Sequence, residues 1–81
     1  MPLELIRVEL PAGARVSFPA SSYAYFRQQI WLIDGRLDFT EGDLVHVMQP
    51  GDCLALGSPA DCTFHAPGPG PAVYLVALMR S

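Results

Sequence analysis

Lysine is missing altogether from this 81-residue chain, and its five basic side chains are the scattered arginines Arg7, Arg15, Arg27, Arg36 and Arg80. Without a lysine there is no Schiff-base amine and no phosphate-binding P-loop. The net charge is −3 and no basic cluster exists to neutralise phosphates, so direct nucleic-acid binding by this chain is not expected. Charge of either sign is sparse, at 16% of residues against a usual ~25%. Long apolar runs are missing too. The longest, residues 72–79, is far shorter than the ~20 residues a membrane-spanning helix needs. Residues 1–4 lack the basic-then-apolar order of a signal peptide. A cytoplasmic location and no membrane partner are therefore expected. Only two cysteines occur, Cys53 and Cys62. They fit a reduced protein better than a disulfide scaffold, although the sequence leaves a bridge between them open.

Helix-length segments free of glycine and proline are scarce, because eight prolines and seven glycines punctuate the chain. The longest such segment, residues 20–34, is rich in aromatic and β-branched side chains, which favour strands. Over residues 4–10, Ile6, Val8 and Leu10 alternate with Arg7 and Glu9, the two-residue period of a half-buried strand. Turns are expected at Pro11-Ala12-Gly13, Glu41-Gly42-Asp43, Pro50-Gly51-Asp52 and around residues 57–61. Asp34-Gly35, between two strand-like runs, has the composition of a two-residue hairpin loop, since both positions tolerate positive φ. The Pro-Gly repeat at residues 67–71 reads as a second hairpin loop, leading into a closing strand over residues 73–79. At 51% hydrophobic the chain is not disordered. Short strands with frequent turns predict an all-β sandwich or barrel forming one domain over residues 1–81. A chain of this length buries only roughly 60% of its unfolded surface, which makes pairing into a homodimer attractive.

Three segments carry a family resemblance. The run Gln28-Gln29-Ile30-Trp31-Leu32-Ile33-Asp34-Gly35 resembles the end of the first cupin motif. Residues 50–64, opening with Pro50-Gly51-Asp52 and turning a Gly/Pro corner before Cys62, resemble the second. Residues 72–78 are similar to the family's last strand. The resemblance implies a small cupin-type jelly roll, or double-stranded β-helix barrel. It also implies a metal site of three histidines and a glutamate, and here the chain departs from the pattern. Gln28 stands where the glutamate would be, Ser21 and Tyr23 roughly where the paired histidines would be, and Cys62 where the last histidine would be. His46 is the first histidine, so no register places an imidazole in the first motif. Amide, hydroxyl, phenol and thiol groups make a poor set for Mn, Fe or Ni. No metal and no cofactor are expected.

Other chemistry is weakly supported. Cys62 and His65 are three apart on a predicted strand and so point to opposite faces. His46 alternates with Leu44 and Met48 and reads as a core-edge histidine, and His65 as a solvent-facing one. Cys62 would need a neighbouring base such as His46 to be a nucleophile, and a small buried hydrophobe is the simpler reading. Most acids lie in turns. What remains is a barrel interior lined by Ser21, Tyr23, Gln28, Ile30, Leu32, Cys62 and Phe64. It is suited either to a small organic ligand or to filling by its own side chains.

The chain is also similar to the cupin domains that follow a helix-turn-helix segment in Xre-type transcription regulators, through residues 5–16, 51–54 and 74–78. That likeness implies a non-catalytic small-ligand sensor or dimerisation module, with DNA read by a helix-turn-helix domain upstream in a longer chain. The alternative is a small cupin enzyme, an isomerase or dioxygenase with an atypical site. As a purely structural dimer, the chain would present Trp31 and Ile33 outward at its interface.

Overall fold

The computed structural model describes residues 3–23, 26–57 and 59–80. Eight strands follow in order: β1 (Leu3–Leu10), β2 (Arg15–Phe18), β3 (Phe26–Asp34), β4 (Leu37–Glu41), β5 (Leu44–Met48), β6 (Cys53–Ala55), β7 (Cys62–His65) and β8 (Ala72–Arg80). A 3-10 turn, Ala20–Tyr23, precedes β3. The strands form two four-stranded antiparallel sheets, one in the order β1-β8-β3-β6 and the other β2-β7-β4-β5. Among the described residues no helix is long and apolar enough to cross a membrane.

Two expected hairpins are instead crossovers between the sheets. Asp34-Gly35 does not fold β3 back on β4, because β3 pairs with β8 and β6 while β4 pairs with β5 and β7. The physical reason is a change of direction ahead of the turn. The β3–β8 register shifts between Leu32 and Asp34, and the Leu32 N–H donates to the Asp52 carbonyl at 3.0 Å. Gly35 then turns at φ +81. Residues 67–71 likewise carry β7 of one sheet into β8 of the other. The one hairpin between consecutive strands among the described residues is β4–β5, closed by Gly42-Asp43 with Glu41 opposite Leu44.

The alternation of each strand sends one set of side chains between the sheets. In the first sheet the inward rows run Ile6–Val76–Ile30–Leu54 and Val8–Tyr74–Leu32. In the second they run Val16–Phe64–Phe39–His46 and Phe18–Cys62–Glu41, with Leu44 at the exposed end of the latter. Ile30, Leu37 and Phe39 are completely buried at the centre. Phe64 joins the layers, its ring 4.8 Å from Phe39 and stacked at 5.3 Å on Tyr74.

Candidate ligand cavity

The two sheets part between the edge strands β1 and β2. There a cavity of about 440 Å³ opens, within the range of small-molecule pockets. Ile6, Val8 and Leu10 of β1 and Val16 and Phe18 of β2 form its sides, with Tyr74, Val76 and Leu78 of β8 and Phe64 of β7 behind them. Phe64, Tyr74 and Val76 of the back wall are buried and Leu78 is partly so, whereas Ile6, Val16 and Phe18 at the rim are exposed. Among the described residues no lining side chain is charged. The polar groups in the wall are Ser22, Gln28 and the Tyr74 phenol.

Gln28 is the unusual member of that wall. Its backbone is fixed by pairing opposite Leu78 of β8, and its carbonyl accepts from the Leu56 N–H at 3.0 Å. Its side-chain Oε1 is buried and has no hydrogen-bond partner among the described residues. An unmade hydrogen bond of this kind costs about 1–3 kcal/mol. Tyr74 is uncharged for a clear reason. Burial pushes its phenol up to about 12, because the ionised form loses its water.

The sign of the resulting pH dependence follows directly. Between pH 10 and 12 the unfolded chain ionises at this residue before the folded one does, so stability is intact below 10 and falls as pH rises towards 12. The slope from this group is at most about 1.4 kcal/mol per pH unit. Urea midpoints for the wild type should drop over that interval, and Tyr74→Phe should flatten the drop.

The structure separates the residues singled out from the sequence. Gln28 and Phe64 are on the cavity wall. Ile30 and Leu32 point inward from β3 but are packed into the core beside it. Cys62 is buried in the second sheet, where its thiol donates to the Ala60 carbonyl at 3.3 Å. Ser21 is exposed, and Ser22 stands on the wall in its place. The Tyr23 side chain lies outside the described residues.

Three of the residues at the positions of a cupin metal site, Gln28, Cys62 and Ser21, lie among those whose side chains are described. Gln28 and Cys62 belong to different sheets, Ser21 faces solvent, and the donors are an amide, a thiol and a hydroxyl, a set unsuited to a hard divalent ion. Among the described residues no group of three His, Cys, Asp or Glu side chains is placed to hold a metal.

One inward polar pair was not apparent from the sequence. Glu41 occupies an inward row of β4, where Oε1 lies 3.3 Å from His46 Nε2 and Oε2 accepts from the Gly57 N–H at 3.0 Å. His46 in turn stacks on Phe39 with ring centroids 6.2 Å apart. The signal was the parity of β4: Leu37, Phe39 and Glu41 share a face. The pair ties the β6–β7 crossover to the β4–β5 hairpin. His65 is on the outer face, with Nδ1 3.7 Å from Asp38 Oδ2.

Two four-stranded sheets between which consecutive strands alternate, except at the β4–β5 hairpin within the second sheet, give the chain a cupin-type barrel fold. Solved structures agree with that architecture. The cupin_2 domain of an XRE family transcriptional regulator from Enterobacter cloacae superposes with a TM-score of 0.89 at 11% identity, covering 99% of this chain and 83% of that one. A cupin protein from Bacteroides fragilis gives 0.87 at 19% identity, covering 100% and 68%. An HTH_3 family transcriptional regulator from Vibrio cholerae gives 0.85 at 15% identity, and there the chain covers 99% of itself but spans only 44% of the regulator. By sequence, no family model and no curated protein matches the chain. The likeness is one of fold.

Proposed function

We propose that this barrel is a non-catalytic sensor of a small, uncharged, largely apolar molecule, acting in the cytoplasm as the effector module of a transcription regulator. One observation carries the reading: a cavity whose described lining is apolar and uncharged, holding in its wall a buried amide oxygen that lacks a partner among the described residues. An ionised ligand would leave water for a site that offers no counter-charge, at a cost of several kcal/mol. A neutral molecule with an apolar body and one N–H or O–H donor suits both features. The Enterobacter cloacae and Vibrio cholerae neighbours are regulators by description, which supports a regulatory setting. Fold alone would not, since one fold hosts many functions. In this mechanism the ligand bridges the β1 and β2 edges, and its preference for one arrangement of those edges biases an attached or partner domain.

The test compares 1-octanol with octanoate at neutral pH by thermal melting. At 100 times its Kd a ligand adds about 2.7 kcal/mol, so octanol should raise Tm by about 10 °C or more, and octanoate far less. Val16→Trp, which fills the rim, should abolish the octanol effect. Equal or stronger stabilisation by octanoate, or an octanol effect that survives Val16→Trp, would refute the proposal. Gln28 supplies a second readout. Gln28→Leu removes the unpaired amide, so the unliganded protein should gain roughly 1 kcal/mol while octanol binding weakens about tenfold. A residue kept only for stability would move those two quantities in the same direction.

A further inference from the structure

The two sheets end in the edge strands β1, β6, β2 and β5, and an edge offers free N–H and C=O groups to any chain that can lie beside it. Three of these edges are blunted. β1 carries Glu4, Arg7 and Glu9, β2 is only four residues long, opening on Arg15 and stopped by Pro19, and β6 has three residues. The edge on β5 differs. Its sequence Leu44-Val45-His46-Val47-Met48 holds no acid, arginine or proline, and it pairs with β4 without a register shift. Leu44, Val45 and Val47 are 63%, 62% and 65% exposed.

The turn before β5 fixes which of its backbone groups are free. Gly42-Asp43 is a two-residue loop with Gly42 at φ +59 and no positive φ at Asp43. That is the type II′ geometry, so Glu41 and Leu44 form the hydrogen-bonded pair that closes it. Bonded and non-bonded pairs alternate along antiparallel strands. Thr40–Val45 and Asp38–Val47 are therefore non-bonded pairs, and the N–H and C=O groups of both valines point away from β4. Among the described residues no other backbone hydrogen bond reaches them. Beside this edge, between β5 and β6, lies a cleft of about 290 Å³ lined by His46, Met48, Asp52, Cys53 and Leu54.

We propose that β5 takes up an extended segment of a partner protein as an added strand, with a basic residue between two apolar ones. The added strand makes up to four hydrogen bonds with Val45 and Val47, and the two side chains opposite them cover the exposed valines on the outer face. The residue between stands opposite His46 and points inward, into the cleft that Asp52 lines. Charge selects the occupant. Asp38, Glu41, Asp43 and Asp52 stand around the edge against one arginine, Arg36, so a lysine or arginine in the incoming strand is complementary. A second copy of β5, paired two-fold about His46, supplies no such cation and sets Asp43 opposite Gln49, next to the turn that holds Asp52. The cleft shares no residue with the ligand cavity, so this site stands or falls independently of ligand sensing.

Titration with the capped peptide Thr-Val-Arg-Val-Thr at low salt, followed by amide hydrogen exchange in NMR spectra, tests the proposal. At about 1 mM peptide, exchange at Val45 and Val47 should slow at least about threefold. Methylating the two valine nitrogens of the peptide removes the donors aimed at the Val45 and Val47 carbonyls and should abolish the slowing. Glutamate in place of the peptide's arginine should weaken binding at least about fivefold. Val47→Pro removes an edge donor without touching a bond to β4 and should abolish the slowing at Val45. The methylated peptide decides the same point on the wild type should Val47→Pro fail to fold. No slowing by the parent peptide, slowing that survives methylation, or a glutamate peptide that binds as tightly would each overturn the proposal. So would slowing at both valines that grows with protein concentration in the absence of peptide, which would assign the edge to a second copy of the chain.

Discussion

Gly35→Ala should cost the fold about 3 kcal/mol or more, clearly beyond the roughly 1–2 kcal/mol expected of Gly13→Ala. Both glycines have the same backbone conformation, φ +81 and φ +82, so both substitutions carry the left-handed penalty of roughly 1–2 kcal/mol. Their surroundings differ. Around Gly13 nothing lies within 4 Å of an added methyl, whereas at Gly35 the methyl would overlap the backbone carbonyl oxygen of Pro71. That carbonyl belongs to the segment feeding β8, the strand paired with both β1 and β3. Relieving the overlap means moving the start of the central strand of a sheet, which cannot be done by rotating a side chain. Urea denaturation of the two variants should therefore give widely separated midpoints. Equal midpoint shifts would mean that conformation alone makes Gly35 necessary and that its contact with Pro71 costs nothing.

The same position shows what could be read from the sequence and what could not. An Asp-Gly pair between apolar runs marks a sharp turn, and the turn is there. Whether it returns the chain to the same sheet or throws it across to the other depends on which strands lie alongside. The partners of β3 are β8 and β6, and those of β4 are β5 and β7. Each crossover is a long-range event that the local signal does not encode. Alternation was more informative, because it depends only on each strand's own period. The inward set Ile6, Val8 and Leu10 and the outward Trp31 followed from it. The barrel architecture was legible through its glycine and proline spacing, and solved cupin structures share it.

The cavity was legible only in part. Gln28 and Phe64 reach its wall, but its sides come mainly from β1, β2 and β8, whose inward residues look in sequence like ordinary core. The difference between a filled and an open interior lies in how far the β1 and β2 edges part. No single residue states that distance. The Glu41–His46 pair was obscured for another reason. An acid beside a Gly-Asp turn reads as turn chemistry, and only the parity of β4 places it inside.

The interior behind the cavity should tolerate far less change than its rim, and Phe39 sets the scale. Its ring is completely buried, packed 4.8 Å from Phe64 and stacked on His46. Phe39→Ala removes about 3–5 kcal/mol from a buried phenylalanine site. A domain of this size has about 4–12 kcal/mol in total, so the variant should be largely unfolded or melt at least about 15 °C lower. Val47→Ala, on the exposed edge strand of the same sheet, should stay within about 0.5 kcal/mol of wild type. The consequence for binding follows from Phe64, which touches Phe39 on one side and forms the back of the cavity on the other. Phe39→Leu, a milder change, lets Phe64 settle inward and enlarges the cavity from behind. It should lower Tm by a few degrees and shift the preferred alcohol to a bulkier one, measured by melting with 1-octanol and a branched isomer. If the preference stays fixed while stability falls, Phe64 is held by Tyr74, with which it stacks at 5.3 Å, and the back of the cavity is rigid independently of the core.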